Sequence, residues 1–185
     1  MEDHPLRSAV GVRSEAQRTE NTGGGAEKHY STMTVDEICQ LPVREIAAPD
    51  CQLWLWTTNT HIFEVPKVLA AWGFTYKVKE VWVKNRLGLG YWLRGRTEDL
   101  ILAVRGNPRG KMRGPNGATG FAWDTLIDER EIEFDHAAVV LGPVREHSRK
   151  PDASYEMIEA MGESPRLEMF ARRKRDGWTV WGDEV

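Results

Sequence analysis

Arg145, His147, Arg149 and Lys150 crowd into REHSRKPD, residues 145–152. The run ends at Pro151 and Asp152, which suit the start of a helix. Proline fixes the φ that a first turn needs, and an acid there faces the positive end of the helix dipole. Ser148 and Lys150, just ahead of that turn, offer a hydroxyl and an ammonium beside unpaired backbone amides. Together they favour an anion. A solvated basic loop with an ordinary cap is the plainer reading of the same residues. Glu168, in RLEMFARR (166–173), is a second candidate. It alternates with apolar neighbours, so it points into a packed face or toward a strand end. A buried carboxylate needs partners. Near the end of a strand in an α/β sheet it can accept hydrogen bonds from a ribose; an edge glutamate paired with arginine is the alternative.

These residues need elements to position them. Thr34 and Glu37 form a capping box that opens a short helix, ended by Pro42. QLWLWTT (52–58) alternates like a strand. A helix then runs to Trp72, with Pro66 in its first turn and Gly73 as its stop. FTYKVKEVWVKN (74–85), EDLILAVRG (98–106) and AAVVLG (137–142) read as further strands. A helix is expected from Asp152 to about Met161, then strands in RLEMFARR and WTVW (178–181). Alternating strands and helices predict an α/β sheet with helices on its faces. In such sheets ligands bind outside the carboxyl ends of the strands. GLGYWLRGR (88–96), REHSRKPD and ARRKRDG (171–177) all follow strands and should converge on that rim. Residues 1–28 are polar and read as a flexible segment, with no strand ahead of residue 26. Residues 29–185 form one domain, with 110–138 a variable loop or insertion.

The chain has 185 residues, 25 Lys and Arg against 28 Asp and Glu, and a formal net charge of −3. One domain of this size buries roughly 70% of the surface of its unfolded chain. The charge balance excludes a strongly basic nucleic-acid coat protein and leaves room for a local basic groove. Cys39 and Cys51 form no metal-ligand pattern, so no metal site is expected. Their reading as reduced thiols, with no apolar leader, predicts a cytoplasmic protein. No run approaches the ~18 apolar residues of a membrane span.

Five blocks, taken in order, are more specific than any single motif. AEKHYSTMTVDEICQLPV (26–43), LWLWTTNTHIFEVPKVLAAWGFTYKVKEVWVK (53–84), GLGYWLRGRTEDLILAVRGNPR (88–109), REHSRKPDASYEMIE (145–159) and RLEMFARRKRDGWTVWGDEV (166–185) resemble the MT-A70 family. These are S-adenosylmethionine-dependent N6-adenine methyltransferases. The resemblance implies a Rossmann-like methyltransferase sheet flanked by helices. Ser148 and Lys150 would reach the methionine carboxylate or ribose region of S-adenosylmethionine. Glu168, Phe170 and Arg172 would lie on its ribose side. Asp183 and Glu184 stand where the family has Asn and Glu or Gln, and Asp for Asn loses two amide donors. Tyr91, Trp92 and Arg94 fall in the loop implied to meet the adenine of DNA or RNA. A dimer with a like or unlike subunit is a further implication.

The family's chemistry rests on Asp-Pro-Pro-Trp at the end of a strand. The exocyclic amine of adenine is a poor nucleophile, because its lone pair is delocalised into the ring. An acid and a backbone carbonyl accept its hydrogens, an aromatic ring holds the base, and positioning supplies the rest. This sequence contains no Asp-Pro-Pro-Trp. EDHPL (2–6) matches two of its four positions through Asp3 and Pro5, which makes Asp3 the catalytic candidate. The family's catalytic strand is therefore expected to be missing. A truncated or degenerate copy, or a non-catalytic subunit that binds cofactor or nucleic acid, stands beside the enzyme reading.

Overall fold

The computed structural model describes residues 9–13, 33–85, 92, 94–108, 140–142, 150–182 and 185. Its strands are β1 (Ala9–Arg13), β2 (Cys51–Thr58), β3 (Thr75–Lys84), β4 (Thr97–Arg105), β5 (Val140–Gly142), β6 (Arg166–Met169) and β7 (Trp178–Trp181). Its helices are α1 (Val35–Gln40), α2 (Val43–Ile46), α3 (Val65–Trp72) and α4 (Asp152–Met161), with a 3-10 helix over Asn59–Glu64. The strands form one sheet in the order β5-β3-β4-β2-β1-β6-β7. β1 is parallel to β2 and β6, β6 to β7, and β3 to β5. β4 is antiparallel to β2 and β3. All strands but β4 therefore end on the same rim.

β2 explains why both faces of the sheet are covered. Its residues are apolar on both sides, and Cys51–Thr57 are all buried. Leu53 and Leu55 join Ile38, Val68, Leu69, Trp72 and Ile101 in the core under α1–α3. Trp54 and Trp56 join Trp82, Leu100, Tyr155, Ile158 and Trp178 in the core under α4.

The helix ends follow their signals. The Thr34 backbone N–H donates to Glu37 Oε2 at 2.6 Å, and the Glu37 N–H donates to Thr34 Oγ1 at 3.2 Å. Gly73 ends α3 with φ 77°, a left-handed turn that glycine takes without steric cost. Trp72 Nε1 donates to the Ile38 carbonyl at 3.1 Å and ties α3 to α1. The Asp152–Met161 helix and the α/β class are as expected.

Three differences matter. AVGVR forms β1 inside the segment read as flexible and without a strand. Ala9–Arg13 pair with Gln52–Trp56 on one side, and Val10–Val12 with Leu167–Met169 on the other. Five residues with a central glycine and a terminal arginine carry no apolar run that announces a strand, whereas two neighbours supply ladder bonds on both edges. RLEMFARR is strand only to Met169, because Phe170 turns the chain out of the sheet with φ 59°. A short helix, α2, which the sequence reading did not identify, follows Pro42.

β1 is an interior strand, so a proline in it removes a ladder donor that no water can replace. Val12→Pro is expected to cost at least about 1–3 kcal/mol. Urea denaturation of the purified chain reads this directly.

Candidate functional site

The sheet order places a switch point at β1. From β1 the chain moves to β2 on one side, and β6 later enters on the other. Open α/β sheets bind ligands in the crevice outside the carboxyl ends of the strands at such a reversal. Glu168 lies in the carboxyl half of β6, in register with Gly11 of β1 and Val180 of β7. It is 5% exposed. Its Oε1 accepts a hydrogen bond from the Tyr155 hydroxyl at 2.7 Å. Its Oε2 is buried and has no hydrogen-bond partner among the described residues. Of the two readings left open for Glu168, the inward-pointing carboxylate is the observed one, and its bonded partner is a tyrosine.

A second charged cluster occupies the same rim. Lys84 ends β3, Glu98 opens β4, and Lys150 stands two residues before α4. Both ammonium groups donate to Glu98, Lys84 to Oε1 and Lys150 to Oε2. Lys150 is 5% exposed, so it is no solvated loop residue. Its Nζ lies 5.1 Å from the centre of the Trp56 ring, and Lys84 Nζ lies 5.3 Å from that of Trp82. The two tryptophans meet edge to face at 6.0 Å. Burial disfavours the charged form of Glu98, but the two lysines outweigh it and bring its pKa down to about 2. Both lysines thus converge on one carboxylate at the rim.

Phe170 packs edge to face on Trp181, with ring centres 5.3 Å apart. The Ala171 N–H donates to the Trp181 carbonyl at 2.9 Å. A Cβ on Gly182 would lie 2.5 Å from the Ala171 carbonyl oxygen, so only glycine permits this close approach. The ends of β6 and β7 are thus locked together beside Glu168. Arg172 is half-buried next to them, and Arg94 is exposed. Trp92 is 98% exposed and so does not pack in the core. Asp3, Tyr91, Ser148, Asp183 and Glu184 lie outside the described residues.

ARRKRDG departs from the expected convergence on the rim. Arg173 pairs with Asp152. Arg175 grips Glu159 through Nε at 2.6 Å and a second nitrogen at 2.9 Å. The loop therefore runs along α4 and spends these charges there. An open polar cavity of about 630 Å³, lined by Glu159, Arg166, Lys174, Arg175 and Asp176, adjoins this strap. Arg166 starts β6, so the cavity lies toward the opposite end of the sheet from the carboxyl rim.

Glu98, Lys84, Trp56, Trp82 and Tyr155 surround the candidates Lys150 and Glu168, and the sequence reading did not single them out. A faint signal existed for Glu98, an acid at the mouth of an apolar strand just after the GLGYWLRGR loop.

The model of the MT-A70 family matches residues 5–184. The chain belongs to the MT-A70 family. It is 29% identical over 181 residues to the type II methyltransferase M.MunI of Mycoplasma sp, across 97% of this chain and 70% of that protein. It is 30% identical to a probable N(6)-adenosine-methyltransferase MT-A70-like protein of Oryza sativa subsp. japonica, across 86% of this chain and 21% of that protein. It is 28% identical to the human N(6)-adenosine-methyltransferase catalytic subunit METTL3, across 86% of this chain and 26% of that protein. The chain thus spans most of the bacterial relative and about a quarter or less of these two eukaryotic ones. Among the described residues there is no acid, histidine and cysteine cluster able to hold a metal, and no helix long and apolar enough to cross a membrane.

Glu98 supplies a test of the rim's electrostatics. Glu98→Ala leaves two cations without their anion, and breaking a buried pair this way costs about 3–5 kcal/mol. The pH dependence has a definite sign. A carboxyl depressed in the folded state stabilises above its unfolded pKa of about 4.3, and that share is lost as pH falls toward about 2. Denaturation midpoints measured between those pH values should fall for the native chain, and less steeply for the variant.

Proposed function

We propose that this chain binds S-adenosylmethionine at the carboxyl rim, over the β1/β6 switch, and works in methyl transfer to N6 of adenine in DNA or RNA. The observation that carries this reading is the buried Oε2 of Glu168, which lacks a donor at the crevice where the sheet reverses. A ribose hydroxyl is the donor such an oxygen accepts. When bound, the cofactor supplies a sulfonium methyl open to in-line attack. Glu168 then orients the nucleoside through its sugar. Lys150, held by Glu98, stands at the rim where the cofactor's carboxylate would lie. In this reading Ser148, Phe170, Arg172, Asp183 and Glu184 complete the pocket. Tyr91, Trp92 and Arg94 serve the nucleic acid. An exposed indole stacks on a base for about 1–3 kcal/mol, which suits an adenine withdrawn from its stack.

One feature favours a second reading, a non-catalytic subunit that keeps the pocket. The sequence has no Asp-Pro-Pro-Trp, and Asp3 comes before β1 whereas the motif follows a strand. The human relative's name as a catalytic subunit supports a companion subunit, like or unlike, for this chain too. The two free thiols, Cys39 and Cys51, suit a cytoplasmic setting.

Isothermal titration with S-adenosylmethionine tests the shared half. The native chain should bind, and Lys150→Ala should weaken binding by about 1.5–3 kcal/mol, the worth of a charge-assisted hydrogen bond. Unchanged affinity in the variant removes Lys150 from the pocket. Methyl transfer to adenine-containing DNA and RNA oligonucleotides separates the readings. Turnover lost in Asp3→Ala supports the enzyme, and binding without turnover supports the subunit.

A further inference from the structure

Tyr155 has no role in the pocket described so far, yet among the described residues it makes the one hydrogen bond on the Glu168 carboxylate. A carboxylate has two oxygens and about four acceptor sites. The Tyr155 hydroxyl takes one, on Oε1 at 2.7 Å. Oε2 stays buried without a donor. Leaving a buried polar oxygen unmatched is costly unless a ligand supplies the partner.

The tyrosine is itself held on all sides. Its ring meets Trp178 edge to face at 5.7 Å. The guanidinium carbons of Arg173 and Arg175 lie 5.5 and 5.0 Å from its ring centre. Those arginines are anchored in turn by Asp152 and Glu159. Asp152, Tyr155 and Glu159 fall at helical spacing on one side of α4. The strap formed by the β6–β7 loop therefore fixes the tyrosine, and the tyrosine fixes the carboxylate.

We propose that Tyr155 is a positioning residue: its hydroxyl holds Oε1 of Glu168 so that Oε2 faces the vicinal hydroxyls of a bound ribosyl ligand. This rests on the cofactor reading above. The tyrosine touches no reacting atom. Its effect is selectivity for a ligand whose sugar carries both hydroxyls over one whose sugar lacks them.

The test uses the full chain and two probes, S-adenosylhomocysteine and its 2′,3′-dideoxyribosyl analogue. Titration calorimetry gives both affinities for the native chain and for Tyr155→Phe. The native chain should prefer the ribosyl probe. Tyr155→Phe should weaken the ribosyl probe about tenfold and the dideoxy probe little, so that most of the preference is lost. Equal weakening of both probes would mean a merely structural tyrosine and would overturn the proposal. So would an unchanged preference. A fluorinated tyrosine at 155 keeps the ring and alters only the donor strength, which covers the case in which Tyr155→Phe melts early. It should move the ribosyl affinity alone, and an unmoved ribosyl affinity counts against the proposal. A native chain that melts cooperatively yet binds neither probe overturns the cofactor reading itself, and the role of Tyr155 with it. Native binding with preference intact in the variants overturns the Tyr155 role alone.

Discussion

Glu98 joins three pieces of chain that lie far apart in sequence: the end of β3, the start of β4 and the approach to α4. Taking a carboxylate out of water costs several kcal/mol, and attraction to cations repays this only in good geometry. Here two ammonium groups, Lys84 and Lys150, meet one carboxylate between two tryptophan faces. Drawing Lys150 away would leave a buried charge poorly matched. The rim's shape is therefore set by electrostatics as well as by packing.

A second tie works on the other side of the switch. Arg173 and Arg175 bind α4 through Asp152 and Glu159, and Trp178 Nε1 donates to Glu159 at 2.7 Å. The helix, the β6–β7 loop and β7 are thus tied together. Tyr155 and Glu168 inherit their positions from that unit. Glu98 fixes Lys84 and Lys150 at the rim, while the α4 strap fixes Tyr155 beside Glu168.

Local signals made much of this frame readable. Thr34 and Glu37 cap α1, Gly73 stops α3, and the KPD sequence starts α4, each through bonds made within a few residues. QLWLWTT announced a buried strand by its own composition. β1 did not, because AVGVR owes its place to β2 and β6, which lie far along the chain. The rim residues divide the same way. Lys150 and Glu168 stood out by type and by their position beside predicted element ends. Their partners Glu98 and Tyr155 did not, because a pairing 52 residues apart and one 13 residues apart leave no trace in spacing. ARRKRDG misled for the same reason, since its charges are answered by acids on α4.

Membership in the MT-A70 family and the strand reversal at β1/β6 underlie the proposed claim, a ribosyl cofactor held by Glu168. The absence of Asp-Pro-Pro-Trp bears on turnover and leaves that claim untouched. A crystal structure of the chain soaked with S-adenosylhomocysteine tests it most directly. The ribose hydroxyls should lie within about 3 Å of Glu168 Oε2, hydrogen-bond distance, with the ligand's carboxylate toward Lys150. Ligand density elsewhere on the molecule, with Glu168 Oε2 still without a donor, would contradict it.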